Sequence, residues 1–240
     1  MKRFNSFLLK AIALLAFMPI TSPALADGKF RPDKFEITFY QLGFENSTSG
    51  ARWAIFESAT GVDVDLANQN SVSTLISNIQ AQKGTWDRIY ALVANSEVVS
   101  GSGTGCYVKA GTFNQTDSSA DYGGATTNAS EAGEGTFIET HFGSKESLGP
   151  VTTDTSVEVN GQAVSNLKIA LVNSDNPVVG GGATSATVNR RLYYGPLATS
   201  IDTSSKESGT VWITIDPSSS FEDSCTNFDE DYGKVMLSVE

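Results

Sequence analysis

Histidine and cysteine are nearly missing from this chain. Among 240 residues there is one histidine, His141, and there are two cysteines, Cys106 and Cys225. Two thiolates and one imidazole make a poor zinc site, because structural zinc takes four such ligands. A Ser-His-Asp centre would have to use His141, which sits in FIETHFG. As a strand, that segment puts Ile138, Thr140 and Phe142 on one face and Glu139 and His141 on the other, the pattern of an exposed strand histidine. The Gly-x-Ser-x-Gly elbow is absent too: Ser102 lies in GSGTG, but Ser100 stands two residues before it. No HExxH, P-loop or dinucleotide fingerprint occurs, and GSGTG and VVGGG lack the strand-to-helix setting of a phosphate loop. A glycoside hydrolase would need two positioned carboxylates, and no pair is marked. The chain therefore reads as a non-enzyme, with a secreted hydrolase ranked last.

Positive charge is also scarce. Sixteen Lys and Arg face 27 Asp and Glu, a formal net charge of -11. A field of that sign repels nucleic acid and anionic lipid, so both are poor partners.

Long apolar runs are confined to the start. Lys2 and Arg3 precede an apolar stretch from Phe7 to Ile20, interrupted by Lys10, and Ala24-Leu25-Ala26 supplies a small-x-small cleavage pattern. Residues 1–26 are read as a cleaved secretory signal peptide. The apolar core is shorter than the roughly 20 residues a spanning helix needs. No Cys stands at the cleavage point for a lipid, and no membrane anchor is expected. Removing three basic and no acidic residues takes the charge from -11 to -14 and leaves 214 residues. The product is expected to be secreted: periplasmic, extracellular or at the cell surface. In such a compartment two cysteines suggest a disulfide between Cys106 and Cys225. It would close a loop of about 120 residues, worth about 4–5 kcal/mol in the chain-entropy model.

Strand signals fill the rest. KFEITFYQLGF (34–44) alternates Phe35, Ile37 and Phe39 against Thr38, Tyr40 and Leu42. ARWAIFES, VDVDL, TWDRIYALVAN, CYVKAGTF, GTFIETHF, TSVEVNG, LKIALVN, RRLYYG, VWITID and GKVMLSV follow, bounded by Gly, Pro, Asn, Asp or Ser. TWDRIYALVAN is expected to send Ile89, Ala91 and Val93 one way and Trp86, Arg88, Tyr90 and Leu92 the other. SVSTLISNIQAQ (71–82) alone has helical spacing, through Val72, Leu75, Ile76 and Ile79. Residues 111–135 form a polar run without period, expected as a long surface loop. The predicted fold is all-β: one antiparallel sandwich domain over 27–240, with one short helix and a C-terminal β extension at 199–240.

The order of KFEITFYQLGF, WAIF, VDVDLAN, a short Leu/Ile segment and KGTWDRIYALV resembles a family of exported bacterial domains of unknown function with a transthyretin-like (prealbumin-like) sandwich. Gly84-Thr85-Trp86 stands where that family has Gly-x-Tyr, and VEVNGQAVSNLKIALVN with RRLYYGPLA resembles its closing strands. The likeness covers about residues 35–198. Many members are lipoproteins, and this chain lacks their Cys. The resemblance implies a fold and brings no catalytic residues.

Three chemistries remain to be placed. Asp63 and Asp65 share a strand face, and Glu222, Asp223, Asp229, Glu230 and Asp231 cluster near Cys225. Hard oxygen ligands so grouped can hold calcium, and Asp223, Asp229 and Asp231 are the candidate set, against the plainer reading of solvated surface. Trp86, Tyr90, Tyr194 and Trp212 are candidates for stacking on sugar rings, against the competing reading as core. Open strands could add a strand from a partner, and DGKFRPDK and GKVMLSVE are where such an edge is expected. The functional expectation is a non-catalytic surface or matrix protein, adhesin-like or strand-assembling, with a carbohydrate-binding module as the alternative.

Overall fold

The computed structural model describes residues 29–68, 81–114, 123–139, 156–172, 188–205, 211–222 and 225–239. The expected signal peptide, His141 and all but the last two residues of the expected helix lie outside that set. The described residues are mostly strand, as the sequence predicts, and their only helical turn is a 3-10 turn at Ala129–Glu131 capped by Asn128.

Among the described residues fifteen strands follow in order: β1 (Lys29–Phe30), β2 (Lys34–Glu45), β3 (Arg52–Asp65), β4 (Thr85–Ser100), β5 (Ser102–Gly103), β6 (Cys106–Val108), β7 (Gly111–Asn114), β8 (Ala125–Thr126), β9 (Gly135–Ile138), β10 (Ser156–Val159), β11 (Gln162–Ala163), β12 (Lys168–Val172), β13 (Arg190–Asp202), β14 (Val211–Glu222) and β15 (Asn227–Val239). They form three sheets. A seven-stranded sheet runs β12-β13-β4-β2-β3, with β9 beside β4 and β7 beside β9. A five-stranded sheet runs β1-β14-β15-β10-β11, and a small one runs β5-β6-β8.

Alternation explains why β2 is a strand. Phe35, Ile37 and Phe39 are buried in turn, with Glu36 and Thr38 between them partly exposed. Their face meets the five-stranded sheet. One apolar cluster joins Phe35, Ile37, Phe39, Val64, Val93, Val99 and Phe137 to Phe30, Phe221 and Phe228. Ring contacts cross the gap directly, with Phe137 of β9 at 4.4 Å from Phe228 of β15. Phe30 stacks on Phe221 at 4.6 Å. A second cluster joins Leu42, Phe44, Trp53, Trp86 and Ile89 to Val159 of β10. A third, of Tyr90, Leu92, Ala170, Val172 and Leu192, lies on the other face of the large sheet.

Pairing is mixed rather than wholly antiparallel: β10 runs parallel to β15, and β7 parallel to β9. The polar run at 111–135 is not all loop. It starts with β7, which Phe113 anchors on Phe137 at 5.5 Å, and later supplies β8 and the opening of β9. These strands have two to four residues, too few to show a period. The C-terminal residues are β, as expected, but they are no appendage. Strands β14 and β15 form the middle of the five-stranded sheet and place Phe221 and Phe228 in the core.

Candidate functional site

Strand edges are the feature of this fold that bears on function. A sheet edge presents unpaired N–H and C=O groups, and proteins usually blunt it with bulges, proline or lysine. The large sheet ends in β3, whose outer side is unpaired among the described residues. That edge is blunted. Phe39 pairs with Val62 and Gln41 with Glu57, so Tyr40 alone stands opposite residues 58–61, which bow out of the ladder. Gly61 there takes φ +82°, and a Cβ on it would lie 2.4 Å from Thr38 Cγ2.

The five-stranded sheet is different. Strand β14 is bonded to β15 along its length, but on its other side, among the described residues, only Ser219 and Ser220 are paired, with β1. Residues 211–216 keep unbroken register with 234–239 and carry no bulge, and Pro217 comes only after them. Their sequence, VWITID, is rich in the β-branched and aromatic residues that favour strands. Among the described residues this stretch is a straight edge open on one side.

The edges expected from the sequence fall elsewhere. Of DGKFRPDK, only Lys29 and Phe30 make an edge strand, β1. GKVMLSVE is not an edge. Residues 234–237 of β15 have β14 on one side and β10 on the other, because the parallel strand β10 covers what the chain order left open.

The sugar-stacking set does not form one platform. Trp86 is 1 % exposed and lies between the sheets, where its indole N–H donates to Thr203 Oγ1 at 2.9 Å. Its strand breaks the expected alternation, since Trp86 and Ile89 share one cluster. Tyr90 is 3 % exposed on the opposite face, under the Arg52 guanidinium at 4.7 Å. Both are core residues, and burial removes them as stacking surfaces. Tyr194 is half-buried beside Tyr90, with Arg88 at 5.8 Å from its ring. Trp212 lies in β14, opposite Ser238.

The carboxylates meet other partners. Asp63 accepts a hydrogen bond from the Thr38 hydroxyl at 2.6 Å, and Asp65 accepts from the backbone N–H groups of Phe35 and Ala67. Asp229 and Asp231 lie in β15 opposite Ser220 and Ser218, and Asp223 is outside the described residues. Among the described residues no group of three or more His, Cys, Asp and Glu is placed to hold a metal ion. Cys106 and Cys225 are bonded, with Cα atoms 5.4 Å apart, tying the small sheet to the residues that enter β15. A disulfide points to a non-cytoplasmic compartment. No helix among the described residues is long and apolar enough to cross a membrane.

Sequence reasoning missed one constellation. Arg191 is fully buried, and so, to within 3 % exposure, are Glu97 and Glu139. Arg191 Nη1 donates to Glu139 Oε2 at 2.8 Å, Nη2 donates to Glu97 Oε2, and Nε donates to the Ala94 carbonyl at 3.0 Å. The residues are far apart in sequence. The one available signal was that Glu97 and Arg191 interrupt strands of otherwise apolar alternation.

No family model, curated protein or solved structure matches this chain.

Proposed function

We propose that this is a secreted, non-catalytic surface or matrix protein that assembles with further copies of itself by strand addition at β14. The observation that carries the reading is the unbulged edge at residues 211–216, hydrogen-bonded on one side only among the described residues. Antiparallel pairing of two such edges about a two-fold axis would continue the five-stranded sheet into its copy and leave neither edge open. Main-chain hydrogen bonds give affinity in this mode of recognition. Export is supported by the basic start, the apolar stretch and the small-x-small pattern ahead of Asp27, together with the disulfide. Two sheets packed face to face are what a transthyretin-like sandwich would need, and we assign the chain to that arrangement on the order of its strands.

Consecutive strand residues point their N–H groups to opposite sides, so Ile213→Pro and Thr214→Pro form a matched pair. One removes a bond to β15 and lowers the melting temperature. The other removes an outward donor, keeps the melting temperature, and turns the assembled protein into a monomer in light scattering after size exclusion. A wild-type protein that stays strictly monomeric at millimolar concentration overturns the proposal.

A further inference from the structure

Basic side chains are scarce in this chain, yet Arg52, Arg88, Lys168 and Arg190 gather on one half of one sheet face. It is the face of the large sheet turned away from the five-stranded sheet. Cross-strand register sets out its rows. Arg52 of β3, Glu45 of β2 and Arg88 of β4 stand in line. The next row runs from Gly43 through Tyr90 and Tyr194 to Lys168 of β12. Arg190 of β13 stands further along, opposite Ala94 of β4. Tyr40 and Tyr194 pack on the apolar cluster of this face, which includes Leu92 and Leu192.

Each of the three arginines lies over a tyrosine ring. Arg52 is 4.7 Å from Tyr90, Arg88 is 5.8 Å from Tyr194 and Arg190 is 3.7 Å from Tyr40. Stacking holds a guanidinium in place and leaves the N–H donors on its edge to other groups. Among the described residues one carboxylate serves these arginines. Glu45 accepts from Arg52 Nε at 2.8 Å and from Arg88 Nη1 at 3.1 Å. Glu57, the other acid of this half, accepts from the Gln41 amide. No carboxylate of a described residue lies within ion-pair reach of Arg190 or Lys168. The acids at the far end of the face have partners of their own: Glu36 has Lys34, Asp63 has Thr38, and Asp65 has backbone N–H groups. This half of the face is therefore positive in a chain whose total charge is -11. Its cations are within reach of solvent, since the Arg52 and Arg88 side chains are 32 % and 36 % exposed.

We propose that this half-face binds an acidic polysaccharide, a linear sugar polymer that carries carboxylates at intervals. It offers two cationic stations, Arg52 with Arg88 at one end and Arg190 at the other. On β4 the stations are marked by Arg88 and Ala94, which lie roughly 20 Å apart at the rise of a strand. A small anion reaches one station, and a polymer reaches both. Charge density separates the polyanions. Duplex nucleic acid carries a charge about every 1.7 Å and calls for a dense basic surface. Stations so widely spaced suit a chain charged once in every sugar or two. Repulsion from the acidic remainder of the protein is screened beyond about 10 Å at 0.1 M salt, so the local charge decides. Because guanidiniums cover the tyrosine rings, the polymer is held by charge-assisted hydrogen bonds to its carboxylates, not by ring stacking. The face belongs to the large sheet and β14 to the other, so this inference stands apart from strand assembly.

Calorimetric titration of the purified protein with polygalacturonate, neutral pullulan and polyglutamate tests the face. Polygalacturonate binds, and its affinity falls about tenfold between 50 and 200 mM salt. Pullulan does not bind, and polyglutamate binds more weakly than polygalacturonate. Arg190→Gln and Arg88→Gln each weaken the binding of polygalacturonate about fivefold or more. Arg31→Gln, at an exposed position before β2, leaves it unchanged. Glu45→Gln strengthens it, because two guanidiniums lose their internal carboxylate, and no folding defect imitates a gain. Polygalacturonate left unbound at 50 mM salt, pullulan bound equally well, or polyglutamate preferred, which marks a docking face for acidic protein, would each overturn the proposal. So would binding indifferent to Arg88, Arg190 and Glu45.

Discussion

Thr203 shows how much rests on single buried groups. Its hydroxyl accepts from the Trp86 indole N–H and has the carbonyl oxygens of Gln82 at 2.5 Å and Gly84 at 3.1 Å within reach as acceptors. Val has nearly the same shape and neither capacity. Thr203→Val strands the indole donor in a core position, and leaving a buried donor unsatisfied costs about 1–3 kcal/mol. A chemical denaturation midpoint should fall accordingly, with no change in slope. Trp86 was a candidate sugar platform because alternation placed it beside Arg88 and Tyr90. The irregular stretch between Trp86 and Ile89 turns it inward instead, and alternation alone carries no sign of such an irregularity. Arg191 lies on the same strand as Tyr193, with its guanidinium 6.0 Å from that ring, but its carboxylate partners are 94 and 52 residues away. No local pattern links residues so distant.

At the scale of the element, the β2–β3 ribbon depends on a close approach. A Cβ placed on Gly43 would lie 2.2 Å from the Trp53 carbonyl oxygen and 3.0 Å from the Ala54 Cα. Both are backbone atoms of the paired strand, and neither can rotate away. Gly43→Ala should therefore push β3 off β2 at this bulge. Overpacking of this kind costs about 1–3 kcal/mol, and a thermal melt of the variant will register it. Local alternation made most strands legible: β2 matches its expected bounds to within a residue, TSVEVNG contains β10, LKIALVN contains β12, and VWITID lies on β14. Partners were not legible. The parallel pairing of β10 with β15 joins segments about 80 residues apart through a few backbone bonds. GKVMLSVE reads like an edge because the strand that covers it comes so much earlier in the chain.

For the whole molecule, the disulfide is the part most readable in advance. An even cysteine count behind an expected export signal was enough to pair Cys106 with Cys225. The bond crosses from the small sheet to the head of β15, joining residues separated by 119 positions in the sequence. Replacing both cysteines by alanine releases that constraint on the unfolded chain, worth about 4–5 kcal/mol in the entropy model. The double variant should melt well below the wild type, and reducing agent should lower the wild type to a similar point while leaving the variant unmoved. The weight of the last forty residues was not legible at all, since nothing in their polar composition announces the centre of a sheet.

That placement has a consequence for how the protein comes into being. The five-stranded sheet takes β1 from one end of the described chain and β14 and β15 from the other. A polypeptide that emerges end-first, from a ribosome or across a membrane, holds Phe30, Phe35 and Phe137 without their covering rings until residues 211–239 follow. The clusters around Trp53 and Trp86 and around Tyr90 and Leu92 use earlier strands, but the one that Phe221 and Phe228 complete cannot close before that moment. A product cut short anywhere ahead of β14 keeps an apolar face bare, and is a natural target for proteases.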